Sequence, residues 1–112
     1  MFYKRIAVGY TDVLPGVSIK TLAHGSKTLL AEFKLTTGTV IPDHYHPNEQ
    51  TGYLVSGALL LTIDGEQFDV QPGDSWCIES NIHHSVQVLE QSVVVEVFSP
   101  VREDYLPENL RA

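Results

Sequence analysis

Through roughly the first hundred residues the apolar positions show almost no helical period. Short β-branched and aromatic runs instead recur between turn signals, the pattern of an all-β sandwich or barrel. The runs predict strands over Val17 to Ala23, Thr28 to Thr36, Thr51 to Val55, Ala58 to Ile63, Gln67 to Val70, Ser75 to Glu79, Ser85 to Leu89 and Val93 to Phe98. Between them lie Leu14-Pro15-Gly16, Ser56-Gly57, Asp64-Gly65 and Gln71-Pro72-Gly73-Asp74, each with a glycine able to take the positive φ of a tight turn. Asp64-Gly65 is the strongest hairpin signal among these. Leu59-Leu60-Leu61 and Val93-Val94-Val95 are apolar at successive positions, so both faces of those strands should be covered, as where two sheets pack or two subunits meet. That favours a homodimer.

The 112 residues suffice for one compact domain, residues 1–112, and are too few for two of usual size. No repeat, low-complexity tract or linker interrupts it. The polar segment 101–112 is expected to form a C-terminal tail that runs over the surface or across a partner. With 14 acidic residues against 7 basic ones, the net charge is −7 and no stretch collects several lysines or arginines. Long-range attraction to nucleic acid or to an anionic membrane is therefore disfavoured. The single cysteine, Cys77, cannot form an internal disulfide. It lies between Trp76 and Ile78 with no CxxC partner and reads as a buried structural thiol. The N-terminus lacks the basic segment and long apolar run of a secretory signal, so a soluble cytoplasmic protein is expected.

Chemistry concentrates in Asp43-His44-Tyr45-His46-Pro47-Asn48-Glu49-Gln50. Successive side chains of an extended chain point to opposite faces, so the rings of His44 and His46 share a face and can reach one ion. Gln50 and a later histidine can complete a four-ligand set. His83 and His84 are adjacent and must point apart. His84 has the parity of Val86 and Val88, which look inward, and is the expected ligand, whereas His83 is read as exposed or supporting. His24, beside Gly25 and Ser26, reads as a turn residue. Imidazole nitrogen suits zinc, nickel, copper and iron, and an amide oxygen adds a harder neutral donor. The expected cofactor is one divalent transition metal: Zn, Ni, Fe or Mn. A set without formal charge leaves the ion its full positive charge and favours an anionic small-molecule ligand. Glu49 rivals Gln50 at this stage, since a carboxylate binds a divalent cation better than an amide.

Nearer the C-terminus, Glu96 and Phe98 share a strand face and Arg102 follows just after Pro100. An arginine can hold a carboxylate through two parallel hydrogen bonds, and a carboxylate inside a metal-containing barrel can relay a proton. Spacing equally allows Glu96 to be an exposed strand charge and Arg102 to pair with Glu103 or Asp104 at the surface.

These residues resemble the cupin superfamily. Gly38, His44, His46, Gln50 and Gly57 match its first motif, and Gly65, Pro72-Gly73 and His84 match part of its second. In the second motif six residues rather than five separate Gly65 from Pro72, and Glu79 and His83 stand where prolines are common. Local loop differences are expected there, with the site retained. The resemblance implies a small jelly-roll β-barrel of two antiparallel sheets with little or no helix. It also implies His44, His46, Gln50 and His84 on a divalent metal, with Glu49 facing away. Within the superfamily, His46-Pro-Asn-Glu-Gln50 and Phe98-Ser-Pro-Val-Arg102 look like the small enzymes of pectin and alginate breakdown that linearise unsaturated uronates. That likeness implies an isomerase opening a 4,5-unsaturated uronate to a keto-deoxy acid, with Glu96 and Arg102 catalytic and Phe98 and Arg102 binding substrate. The acidic residue of that family is aspartate, one methylene shorter than Glu96, and such a displacement bears on catalytic placement. Two other classes remain compatible with the same ligands: a metal-dependent dioxygenase of a small organic substrate, and a non-catalytic module binding a small molecule or metal.

Overall fold

The computed structural model describes residues 1–107 and Leu110. Eight strands follow in order: β1 (Thr11–Leu14), β2 (Val17–His24), β3 (Leu29–Leu35), β4 (Val40–His44), β5 (Glu49–Ile63), β6 (Glu66–Val70), β7 (Ser75–Ile78) and β8 (His84–Ser99). A 3-10 turn, Glu103–Tyr105, comes after them. All strand pairs are antiparallel. No helix among the described residues is long and apolar enough to cross a membrane.

The long strands β5 and β8 pair along nearly their whole length and serve two sheets. The C-terminal half of β8 pairs with β3, which continues through β2 to β1, while the N-terminal half of β5 carries β7. Beyond a bend, the other halves of β5 and β8 carry β6 and β4. The result is the expected pair of antiparallel sheets packed face to face. The strand path runs from β1 to β6 and those two ends do not pair, so hydrogen bonding does not close the barrel.

The bend explains where the sequence reading broke strands that are continuous. Ser56-Gly57 was expected to be a turn, but β5 passes through it with register shifts between Leu54 and Leu59. Gly57 has φ +101°, and a Cβ there would run into Ser92 and the Gln91 carbonyl of β8. A glycine with positive φ marks a bulge at a sheet corner as readily as a turn. The expected break between Leu89 and Val93 is absent for the same reason, since Ser92 is fully buried at the corner and its hydroxyl accepts from the Ala58 amide. Asp64-Gly65 does form the β5–β6 hairpin. Strands β1 and β4 lie outside the predicted ones. Their burial is slight, so the alternation that would reveal them is weak.

Alternate inward residues fill the space between the sheets: Val17, Ile19, Leu29, Phe33, Leu54, Leu59, Leu61, Val88, Val94 and Phe98 are all buried. Burial at roughly 25 cal/mol per Å2 of apolar surface makes this the main stabilising term. Outward positions in the apolar triplets, Leu60, Val93 and Val95, are only half-buried in the single chain. Val101, Tyr105 and Leu106 also pack on the core, so the beginning of the expected surface tail is an integral cap. Residues 108, 109, 111 and 112 of that tail lie outside the described residues. Cys77 corrects another expectation. It is exposed, because β7 turns Trp76 and Ile78 inward and leaves the thiol on the outer face.

Candidate metal centre

His44 ends β4, His46 lies in the following loop, Gln50 is the second residue of β5, and His84 opens β8. β4 and β8 pair with His44 directly opposite His84, and β5 pairs with β8 at Gln50 and Phe98. Register therefore brings the expected ligands together. One nitrogen from each of His44, His46 and His84 lies within 4.8 Å of the others.

The tautomers are fixed by local backbone. His44 Nδ1 lies 2.8 Å from the Pro42 carbonyl, His46 Nδ1 2.9 Å from that of Asn48, and His84 Nδ1 2.9 Å from that of Ile82. A carbonyl only accepts, so each Nδ1 carries the proton and each Nε2 presents a lone pair. Such hydrogen bonds to the non-ligating nitrogen are what orient metal-binding imidazoles. Burial holds the His84 ring down at about 4, with the Ile82 bond opposing and His44 and His46 adding to the shift. Burial, then the charge of Arg102, lowers His46. Both rings are neutral at physiological pH and ready to donate.

Two observations test the fit of a cation. His84 Nε2 is buried with no hydrogen-bond partner among the described residues. His46 Nε2 faces Gln50 Oε1 at 2.7 Å while the Gln50 amide nitrogen donates to Glu96. Two lone pairs thus face each other, beside a third that is orphaned. Buried acceptors without a donor are costly, and a shared cation satisfies all of them. Three imidazoles and one amide oxygen suit a divalent transition metal. Glu49 faces outward and is exposed, while Gln50 is buried. His83 is exposed, bonds Asp43 at 2.6 Å and stacks near Tyr45. His24 ends β2 beside Tyr3, away from the cluster.

Beyond the imidazoles opens a cavity of about 510 Å3. His44, Gln50, His84, Glu96, Phe98 and Arg102 all line it. Glu96 is thus an inner-face residue. Its register neighbours are Gly52 on β5 and Ala31 on β3, and Gly52 also faces Trp76 on β7. The Trp76 indole crosses the space over Gly52, where a Cβ would collide with it. Burial raises Glu96 to about 7, partly offset by the Gln50 hydrogen bond and the charge of Arg102. Arg102 lines the cavity and also pairs with Asp104, so the surface pairing considered from spacing is present together with the inward placement.

Asn48, Trp76 and Tyr105 went unremarked in the sequence reading. Asn48 is buried and donates to the Pro100 carbonyl at 2.7 Å, tying the histidine loop to the exit of β8. Gly52 within a strand was the available signal for Trp76, since a strand glycine often marks close approach. Tyr105 packs edge-on to Phe33 and Phe98, and burial lifts its hydroxyl to about 12.

Comparison with known proteins accords with this geometry. The chain is 28% identical over 93 residues to the pectin degradation protein KdgF of Dickeya dadantii, covering 81% of this chain and 84% of that one. The structure of KdgF from Halomonas superposes with a TM-score of 0.88 at 32% identity, over 95% of this chain and 98% of the other. An RmlC-like cupin from Shewanella frigidimarina shares the fold at a TM-score of 0.85 and 22% identity, over 89% and 90% of the two chains. The cupin domain model matches residues 31–99, which span β3 to β8 and hold all three histidines of the cluster, and on that match the chain belongs to the cupin family.

Proposed function

We propose that this cupin is a metal-dependent isomerase that opens the ring of a 4,5-unsaturated uronate monomer to give a keto-deoxy acid. One observation carries the reading: Glu96 and Arg102 line the same cavity as His44, Gln50 and His84. Similarity to pectin degradation proteins along most of the chain supports the substrate class.

Ring opening removes a proton from the anomeric hydroxyl, breaks the bond between that carbon and the ring oxygen, and adds a proton to C4 as the enol becomes a ketone. Atoms balance without an oxidant. His44, His46, Gln50 and His84 would hold the divalent ion, which when bound supplies Lewis-acid polarisation of substrate oxygens. Arg102 receives the substrate carboxylate through parallel hydrogen bonds. Glu96 takes the anomeric proton and returns one to carbon. Burial raises this carboxyl above the ordinary carboxylate range in the metal-free protein, which makes it a stronger base for that task. Phe98, fully buried, sits between the His46 ring, 6.0 Å away, and the Arg102 guanidinium, 5.4 Å away, and shapes the pocket. The proposed assembly is a homodimer. Tyr53 and Val55 leave apolar side chains exposed at 49% and 48% on the outward side of β5.

The test is turnover by metal-loaded protein of freshly generated unsaturated galacturonate, and of unsaturated mannuronate or guluronate, followed by loss of the enol-ether absorbance. Arg102→Ala should abolish turnover and leave metal content unchanged. A fully active variant removes this mechanism.

A further inference from the structure

Arg102 is held by its own C-terminal segment. Its Nε and Nη2 donate to Asp104 Oδ1 and Oδ2 at 3.0 and 2.7 Å, a side-on bidentate pair. The guanidinium lies over the Tyr105 ring, 4.3 Å from its centroid, and 5.4 Å from that of Phe98. Tyr105 is itself fixed, edge-on to Phe33 and Phe98 at centroid distances of 6.1 and 5.4 Å, with its carbonyl accepting from Thr21 Oγ1 at 2.5 Å. A long side chain with many rotamers is thereby confined to one orientation.

A guanidinium offers two bidentate edges, Nε with Nη2 and Nη1 with Nη2. Asp104 takes the first, and both hydrogen bonds of Arg102 among the described residues lie on it. The Arg102 side chain is 19% exposed and lines the cavity, whereas that of Asp104 is 59% exposed. An ion pair open to solvent on one side adds little net stability, so the consequence of this one lies in orientation.

We propose that Asp104 is a positioning residue. By occupying the Nε–Nη2 edge above the Tyr105 ring, it aims the Nη1–Nη2 edge into the cavity as the receptor for the carboxylate of a sugar acid. The inference rests on Arg102 being the carboxylate anchor, as in the function proposed above. It removes from the binding step the cost of ordering a flexible side chain. A carboxylate in that position can also be a competitor that the substrate must displace, and the two roles give effects of opposite sign.

The experiment titrates galacturonate, a saturated probe that cannot react, and uncharged galactose into metal-loaded wild type, Asp104→Ala, Asp104→Asn, Asp104→Glu and Arg102→Ala by calorimetry. Asp104→Ala is expected to weaken galacturonate binding about fivefold, the cost of ordering one long side chain. Asp104→Glu should recover most of the loss, and galactose binding should not change. With the unsaturated uronate, KM should rise by the same factor while kcat stays within about twofold. Unchanged galacturonate affinity in Asp104→Ala overturns the positioning role, and tighter binding overturns it in favour of competition. Asp104→Asn keeps the side-chain volume and gives the same comparison if the alanine variant does not fold. Galacturonate binding that survives in Arg102→Ala refutes the anchor beneath the proposal, an outcome separate from any result at position 104.

Discussion

Replacing Glu96 with glutamine in metal-free protein should change stability in a way that depends on pH, and the size of the change follows from where the carboxyl sits. Its ordinary value is 4.5, and inside the cavity burial raises it to about 7. Between those values the native protein keeps a proton that the unfolded chain has released, so wild-type stability falls as pH rises through this window. Above it the whole penalty applies. A displacement of about 2.5 units at 1.36 kcal/mol each gives ~3 kcal/mol. Glu96 lines a cavity that water enters, so this figure is an upper bound. Glutamine cannot ionise and keeps an oxygen that accepts from the Gln50 amide. The variant should match the wild type near pH 4.5 and exceed it by up to ~3 kcal/mol at about pH 8, or ~10 °C in Tm for a domain of this size. Chelator-treated proteins would be unfolded by heat and by urea at several pH values. A difference that does not change between about pH 5 and about pH 8 would refute the burial argument, and with it the match between Glu96 and proton transfer.

The centre itself makes a second prediction: His84→Ala should lose bound metal by elemental analysis while wild type retains about one equivalent, since His84 Nε2 has no other partner. Wild-type protein that stays metal-free in saturating divalent ions would count decisively against the site. At pH 7 metal uptake should also release roughly half a proton, because Glu96 is about half protonated there and a nearby cation ionises it. Calorimetry in buffers of different ionisation enthalpy reads this, and Glu96→Gln should abolish it. Gly52→Ala places a methyl in the indole of Trp76, the only tryptophan, so it should destabilise by about 1–3 kcal/mol and shift the emission maximum. Unaltered fluorescence and Tm would mean that Trp76 does not cross Gly52. Cys77 should react with a thiol reagent in the native state at one equivalent, and a thiol that is silent until unfolding would contradict its outward placement.

The site was more legible in the sequence than the strand map around it. Side-chain alternation is a rule of the strand, so the parity of His84 with Val86 and Val88 carried directly into the site, whereas His46, in the loop beyond β4, meets the other two rings through the path of that loop. Glycine has no such single meaning. Gly57 supplies a positive φ for a sheet corner as well as it would for a turn, and the chain continues through it as one fifteen-residue strand. Which face of β7 is inner depends on Trp76 filling the space above Gly52, a pairing between strands well apart in sequence, so Cys77 was placed on the wrong side. Arg102 shows a further limit. Spacing offered a surface pair or a cavity-lining group as alternatives, and the side chain does both, one edge on Asp104 and its remaining length along the cavity wall.

Charge then argues for what the cavity accepts. The groups proposed to hold the metal are three imidazoles and a carboxamide, none of which brings a negative charge, so a divalent ion bound there would keep its full charge, and the Arg102 guanidinium adds another positive group. Against these stand Glu96, at most one negative charge when the cation has ionised it, and Asp104, whose side chain is mostly in water and already paired. The balance inside is positive although the chain as a whole carries −7. The net negative charge of the chain works against a small anion, so affinity for one would come from this cavity. An uncharged sugar would forgo the charge-assisted pair with Arg102. On the function proposed above, the same construction that leaves His84 Nε2 without a partner would favour a carboxylate-bearing ligand over a neutral one.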